Sequence, residues 1–332
     1  MSPSSLTEYV TAIEAGAEIV GAGFLGRTPA FALADGTVLL ADIGEERRVK
    51  AHEDGAILVA AFDGAKLYTG GDDGLVTATD AAGKTETIAK EKGWIDALAW
   101  RADGALAWSS GKNVRARDAK GEIKGWTAPS TVRGLGFFPK GYRLVIAHYN
   151  GASLWFPNTA AAPESLSWKG SHLDAVVSPD ARFVVTSMQE NSLHGWRLAD
   201  RKDMRMSGYP AKTRSLSWSQ DGDWLATSGA DGCIVWPFSG KDGPMGQPPR
   251  ECGVRPNVLV TKVAFHPKAL LVAIGYDDGW ILLVRLSDGA EILVRRTENE
   301  RDAITGLAFD ATGGRLAFGT KGGKAGVLDF PA

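Results

Sequence analysis

The chain repeats one short turn signal eight times. Each copy is a pair of turn-forming residues between two strand-like runs, as in SGADGCIVWPF at Ser228–Phe238. The eight pairs are Asp35-Gly36, Asp73-Gly74, Gly111-Lys112, Asn150-Gly151, Glu190-Asn191, Asp231-Gly232, Asp278-Gly279 and Gly322-Gly323. They recur about every 40 residues, a period typical of repeat architectures. In each Asp-Gly pair we expect the glycine to take the positive φ of a tight hairpin and the aspartate to bond to the backbone of the turn.

A second landmark keeps the same period. Ahead of each turn lies a segment of alternating small and apolar residues, such as VGAGF ending at Phe24 and LVAAF ending at Phe62. The other six segments end at Trp100, Phe137, Ser178, Trp218, Phe265 and Phe309. Each unit then continues with a second strand, the turn, a third strand and a looser fourth strand such as Thr85–Ala89. Four short strands in about 40 residues predict an all-β propeller built from such units.

The units resemble the WD40 family over about the whole chain. The Trp-Asp pair that closes the third strand in that family is altered here. It is seen at Ala41-Asp42, Thr79-Asp80, Arg117-Asp118 and Leu328-Asp329, or only its tryptophan remains, at Trp155, Trp196 and Trp236. His52 and His172 stand where the family has histidine, although no unit clearly has the family's complete network of His, Asp, Ser or Thr, and Trp. The resemblance implies one WD40-type β-propeller domain over residues 1–332.

The two ends of the chain complement each other. The last unit stops at Ala332 without a fourth strand, and an unassigned strand-like piece, EYVTAIE at Glu8–Glu14, precedes the first unit. An open ring would leave unpaired sheet edges, so the ends must meet. We therefore expect eight four-stranded blades, with residues near Tyr9–Ile13 as the outer strand of the last blade. A seven-bladed ring plus one irregular unit is the alternative.

Composition narrows the class of protein. The 332 residues are 44% hydrophobic and 23% charged with a net charge of -2, which gives no overall attraction to nucleic acid or an anionic membrane. The N-terminus lacks the basic start and the unbroken apolar run of a signal peptide, and two cysteines are too few for a disulfide framework. We expect a cytoplasmic monomer that binds neither nucleic acid nor membrane.

Motifs for chemistry are mostly missing from the sequence. The five histidines do not have metal-ligand spacing, and no G-x-S-x-G motif occurs. GTKGGKAG at Gly319–Gly326 falls one residue short of a phosphate-binding loop and reads as a hairpin. We therefore predict no catalytic residues, no metal, no cofactor and no enzyme activity.

Three further features are interpreted as structural. Trp100, Trp218 and Trp236 lie at core positions of strands, and Cys233 is predicted to be a buried thiol. The Gly- and Pro-rich insertion Ser239–Asn257 is either a slack loop, which we favour, or an adaptable binding element.

Candidate binding residues lie just before or inside the first strand of each unit and in the neighbouring turns. In propellers these positions share one face, and Trp, Tyr and Arg are enriched in binding hot spots. The candidate rim consists of Trp94, Asp96, Arg133, Tyr149, His172, Asp174, Lys212, Arg214, Tyr276, Asp277 and Lys321. Its charges suit a polar peptide of mixed charge. The sequence thus favours a non-catalytic protein-interaction scaffold. The alternative is a propeller enzyme or small-molecule binder that acts through the central channel.

Overall fold

The computed structural model describes residues 4–42, 44–297 and 301–331. Within these residues the regular structure is β-strand, apart from one 3-10 turn at Thr7–Tyr9. Two short strands flank that turn, β1 (Ser4–Ser5) and β2 (Val10–Glu14). The all-β prediction is confirmed.

Units one to three each form a four-stranded antiparallel sheet. The strands of unit one are β3 (Ile19–Leu25), β4 (Thr28–Leu33), β5 (Thr37–Asp42) and β6 (Glu45–Lys50). Those of unit two are β7 (Ile57–Phe62), β8 (Lys66–Gly71), β9 (Leu75–Asp80) and β10 (Thr85–Lys90). Those of unit three are β11 (Ala97–Trp100), β12 (Leu106–Ser110), β13 (Asn113–Arg117) and β14 (Ile123–Thr127).

Units four and five share one sheet. Its strands are β15 (Gly134–Phe137), β16 (Leu144–Trp155), β17 (Glu164–Val177), β18 (Phe183–Met188), β19 (Leu193–Arg197) and β20 (Asp203–Met206). Strand β16 carries the turn of unit four at Asn150 and Gly151, which both have positive φ. Strand β17 runs without a break from the fourth, or outer, strand of unit four into the first, or inner, strand of unit five.

Units six to eight return to separate sheets. Unit six has β21 (Leu216–Trp218), β22 (Trp224–Thr227), β23 (Cys233–Pro237) and β24 (Arg250–Cys252). Unit seven has β25 (Val260–Phe265), β26 (Leu271–Tyr276), β27 (Ile281–Arg285) and β28 (Glu291–Arg295). Unit eight has β29 (Ile304–Phe309), β30 (Arg315–Thr320) and β31 (Lys324–Asp329).

The predicted units therefore lie in seven hydrogen-bonded sheets. The expectation of eight separate four-stranded blades is wrong, and the alternative count of seven matches the number of sheets. The physical reason is the continuity of β16 and β17, which pair at Tyr149 and Ser171 and so join units four and five.

The expected closure by the N-terminal strand is confirmed. Strand β2 is the fourth strand of unit eight and pairs antiparallel with β31, from Val10 opposite Leu328 to Glu14 opposite Lys324. Strand β1 pairs in parallel with β28 of unit seven. The first residues of the chain thus bind both of the last two units, and β29 packs beside β3 to complete the ring.

Small residues let the inner strands approach each other closely. A Cβ on Gly134 would overlap the Cα of Asp174 on the next inner strand, and one on Gly21 would lie 2.8 Å from the Cβ of Ala60. Apolar side chains from neighbouring sheets fill the space further out, as Val235 of unit six and Val263 of unit seven do in one cluster. The alternation of small and apolar residues in the sequence therefore lets the inner strands pack closely and fills the space between the sheets.

Most of the turns follow the expected chemistry. Gly36 and Gly74 have φ of 88° and 77°, and Asp73 Oδ1 accepts a hydrogen bond from the Leu75 amide at 2.9 Å. The prediction for Asp231-Gly232 is wrong in detail, because Gly229 carries the positive φ of that loop, at 100°. Gly232 instead lies where a Cβ would be 2.9 Å from Val254 Cγ2.

The structural interpretations had mixed outcomes. Trp218 packs edge-on against Phe238 with ring centroids 4.7 Å apart, and Trp236 Nε1 donates to the Tyr209 hydroxyl at 2.7 Å. Trp100, in contrast, is 38% exposed at the end of its strand, so its predicted core position is wrong.

Cys233 is buried as predicted and lies opposite Cys252 in the register of β23 and β24. GTKGGKAG forms the hairpin between β30 and β31.

The insertion Ser239–Asn257 is not slack. It contains β24, the fourth strand of unit six. Its first part is held against unit five by an ion pair between Asp242 and Arg197, and Arg182 Nη1 donates to the Gly240 carbonyl at 3.1 Å. The slack-loop expectation is therefore wrong because unit five supplies partners that the local sequence does not show.

Candidate interaction face and channel cavity

One face of the ring carries both the turns and the loops that lead into the inner strands. Hydrogen bonds join these two sets of segments within each unit. The Ala56 amide donates to Asp72 Oδ1 at 2.8 Å, and the Leu259 amide donates to Asp277 Oδ1 at 2.9 Å. We call this surface, formed by the eight turns and the loops before the eight inner strands, the turn face.

Nine of the eleven candidate rim residues contribute surface to the turn face. Trp94 and Tyr149 are the large aromatics among them, with 63% and 54% of their surface exposed. The other exposed members are Arg133, Arg214 and Lys321, and the partly buried ones are Asp96, Asp174, Lys212 and Asp277.

The two remaining candidates, His172 and Tyr276, are buried and are removed from the rim. His172 Nδ1 lies 2.7 Å from Thr186 Oγ1, and its Nε2 lies 3.1 Å from the Trp168 carbonyl. Burial lowers the pKa of His172. The Tyr276 hydroxyl donates to the Gly253 carbonyl, and neither ring is exposed. Whether a residue near the end of a strand faces the surface or the interior depends on the strand register, which the sequence does not fix there.

Four of the predicted residues meet in the mouth of the central channel. Asp96, Arg133, Asp174 and Arg214 line a cavity of about 390 Å³, which we call the channel cavity. Asp96 Oδ2 accepts the Gly111 amide at 2.7 Å, and its Oδ1 lies 3.6 Å from Arg133 Nη1. The carboxylate of Asp96 is thus already bound on two sides.

Sequence reasoning missed a fifth charged residue of the channel cavity, Lys262. Burial lowers the pKa of Lys262, and nearby Asp174 opposes that shift. Burial raises the pKa of Asp174 to about 6, although Oδ1 accepts the Ala175 amide at 2.8 Å. Two desolvated groups of opposite charge therefore face each other in the channel wall.

The sequence did contain a signal for Lys262. It lies three residues before Phe265, the end of its inner segment. The corresponding residues of the other units are Gly21, Val59, Ala97, Gly134, Ala175, Ser215 and Gly306. A lysine at a position otherwise held by small or apolar residues departs from the alternation that packs the inner strands.

A second cavity of about 470 Å³ lies beside the first, between units five, six and seven. Lys212, Arg214 and Asp277 line it together with Leu259 and Thr261, and we call it the groove. Arg214 lines both cavities. Trp94, Tyr149 and Lys321 lie elsewhere on the turn face.

Unit two contains most of the hydrogen-bonded network that the sequence suggested only weakly. His52 Nδ1 lies 3.0 Å from Asp73 Oδ1, and its Nε2 lies 2.9 Å from Thr69 Oγ1. Thr69 Oγ1 in turn lies 2.7 Å from Thr77 Oγ1. The network fixes the loop before the inner strand to the turn, and Thr79 stands where the family has tryptophan.

Comparison with known proteins supports the propeller assignment. The model of the WD domain, G-beta repeat, matches residues 204–236, which run from the outer strand of unit five to β23 of unit six. The chain is a WD40-type β-propeller. Among solved structures, this propeller is similar to the computationally designed Ika8 protein, with a TM-score of 0.78 and 19% identity over 96% of this chain and 98% of that one. In all, 1752 chains of solved structures match, so the fold by itself does not single out a function.

Three negative findings concern curated relatives, membrane spans and metal sites. No curated protein matches this WD40-type sequence. Across residues 4–42, 44–297 and 301–331 the propeller has no helix long and apolar enough to span a membrane. The same residues contain no group of three or more His, Cys, Asp or Glu side chains arranged to hold a metal ion.

Proposed function

We propose that this WD40-type propeller is a non-catalytic protein-interaction scaffold whose turn face recognises a protein or peptide. The observation that carries the proposal is the meeting of the channel cavity and the groove at Arg214, on the face that also exposes Trp94 and Tyr149. Exposed Trp, Tyr and Arg next to concave surface are the residue types that supply most binding energy in interfaces. Propellers of this family typically act in this way.

The charges of the turn face suggest the chemistry of the partner. Arg133, Lys212 and Arg214 are positive, and Asp96, Asp174 and Asp277 are negative. Because both signs occur around two adjacent cavities, complementarity favours an extended peptide of mixed charge over a purely acidic or basic one. We further propose that the protein is a cytoplasmic monomer with no nucleic-acid or membrane partner, which size-exclusion chromatography and fractionation of cells would test.

An affinity capture from cell extract tests the interaction. The test variant combines Trp94→Ala with Arg214→Glu, which removes an exposed aromatic anchor and inverts the charge where the cavities meet. The matched control combines Trp100→Ala with Lys268→Glu, since Trp100 ends β11 and Lys268 follows β25, so that both exposed residues lie at the opposite ends of the inner strands.

We expect the control to keep the partners of the wild type and the test variant to lose them, with unchanged melting temperatures for both. Loss of a hot-spot residue costs about 2 kcal/mol or more, or roughly thirtyfold in affinity. Identical partners for all three folded proteins would reject the turn face as the binding surface.

The alternative, a propeller that acts on or binds a small molecule through its channel, is favoured by a separate observation, the polar wall of the channel cavity. Binding of a small molecule at that wall does not depend on partner binding at the turn face.

A further inference from the structure

The wall of the channel cavity is irregular between units five and six. The inner strand β21 begins only at Leu216, whereas the sequence pattern places its start at Arg214. The amides of Arg214 and Ser215 both donate to Ser228 Oγ, at 3.1 and 3.0 Å, instead of to a neighbouring strand. The Ser228 hydroxyl thus holds the segment at Arg214 and Ser215 just ahead of β21. We call the part of the cavity wall formed by this segment and by Ser187 of unit five the recess.

Two buried hydroxyls in this recess have no hydrogen-bond partner in the described chain. Ser187 Oγ and Thr213 Oγ1 both line the channel cavity, and both side chains have 0% of their surface exposed. A buried hydroxyl without a partner is unfavourable, and nearly all such groups in native proteins are satisfied. Two of them in the wall of one cavity indicate a ligand with complementary polar atoms.

The charges of the recess indicate the sign of that ligand. Arg214 and Lys262 donate no side-chain hydrogen bond to any other described residue, whereas Asp96 is already bound by Arg133 and the Gly111 amide. Three cations and two carboxylates line the cavity, so its charge when all five are ionised is positive. A monoanion would balance it, and Asp174 Oδ2 remains to accept a hydrogen bond from a donor on the same ligand.

Part of the opposite wall is apolar. Val20, Leu58 and Leu98 from units one to three line the same cavity. Its volume of about 390 Å³ falls in the range of small-molecule sites, roughly 300 to 1,000 Å³. The cavity therefore has a polar side for charged groups and an apolar side for a hydrocarbon part.

We infer that the recess between units five and six binds a small organic carboxylate that also carries a hydroxyl or amino group. Lys262 and Arg214 bind the carboxylate, Ser187 and Thr213 donate to it from their hydroxyls, and Asp174 accepts from the hydroxyl or amino group. A phosphate group, with its higher negative charge, fits less well because Asp96 and Asp174 lie in the same cavity. The assignment concerns binding alone and includes no chemical step.

Thermal denaturation and calorimetric titration with three acids test the inference. L-lactate, D-glycerate and L-glutamate, which each carry one net negative charge at neutral pH, are added at constant ionic strength, with sodium phosphate as the anion that lacks a carbon skeleton. For a bound acid we expect the melting temperature of the wild type to rise by about 4 °C at a hundredfold excess over Kd.

Two variants and one control separate binding from folding. Thr213→Val removes an unpartnered hydroxyl and keeps the shape, so we expect an unchanged or higher melting temperature without ligand and affinity at least about tenfold weaker. Lys262→Met should lose binding to a greater extent, whereas Lys268→Met, exposed on the far side of the same unit, should bind like the wild type. Neither test variant changes a residue of the partner-binding proposal, so the two proposals can fail separately.

Three results would overturn the inference. One is that none of the three acids raises the melting temperature. Another is that phosphate raises it equally, which would indicate an unselective anion site. The third is equal affinity in the wild type and both test variants.

Discussion

Replacing His194 with asparagine should reduce the acid sensitivity of the fold. The His194 ring has 0% of its surface exposed. It stacks on Trp168 with centroids 3.9 Å apart and meets Trp196 edge-on at 4.8 Å. Both ring nitrogens lack a hydrogen-bond partner within the described residues, and the nearest charge is the Asp203 carboxylate, whose Oδ2 lies 3.5 Å from Nε2. An imidazolium in this place would be desolvated between two indoles, so the neutral ring is strongly favoured.

The size of the effect follows from the pKa. Burial lowers the pKa of His194 from 6.5 to about 4, with Asp203 opposing the shift and His172 and Arg205 adding to it. Because the folded pKa is lower than the unfolded one, the unfolded chain binds more protons below pH 6.5, and stability falls as the pH falls. Between pH 7 and pH 5 this histidine accounts for a loss of about 2 kcal/mol. His172, whose pKa is also lowered, acts in the same direction.

The assay is urea unfolding of the wild type and of His194→Asn at pH 7, 6 and 5. Asparagine leaves space beside Trp168, so the variant should be less stable at pH 7. Its further loss on going to pH 5 should be about 2 kcal/mol smaller than that of the wild type. Parallel pH profiles for the two proteins would refute the reasoning, since they would mean that His194 is not held neutral by burial.

Two more predictions concern the ring itself. Deletion of residues 1–14 removes β2 from β31 and β1 from β28. The five residue pairs lost between β2 and β31 alone should cost about 4 kcal/mol, and the melting temperature of the whole protein should fall. A truncated protein that melts like the intact one would contradict closure by this strand. Gly134→Ala should destabilise by about 3 kcal/mol, because its Cβ would overlap the backbone at Asp174. Gly93→Ala, where only the Ser110 hydroxyl lies near the new Cβ, at 3.2 Å, should cost much less in the same denaturant titration.

The repeat predicted the architecture because each landmark reports local chemistry. Turn residues and small-apolar alternation set the strands of each unit, and the need to pair every edge located β2 beside β31. The number of sheets was not predictable in the same way. It depends on whether β17 continues without a break past Gly170, which has a φ of 128°. Contacts between units four and five decide this.

The candidate site was predicted where side chains follow the repeat register and missed where they depart from it. Asp96, Arg133, Asp174 and Arg214 occupy equivalent positions in four units, so they converge on the channel cavity. His172 and Tyr276 were misplaced because one residue of register separates the surface from the interior of a sheet. The recess at Thr213 depends on Ser228, a partner in the turn after β22 that periodicity does not reveal.

The pairing of β2 with β31 also has a consequence for synthesis. Val10 and Leu328 become neighbours only after all of the units between them have left the ribosome. Contacts between such distant parts of a chain form slowly, and unpaired strand edges invite association with other chains in the meantime. During translation β2 therefore stays unpaired until β31 has emerged.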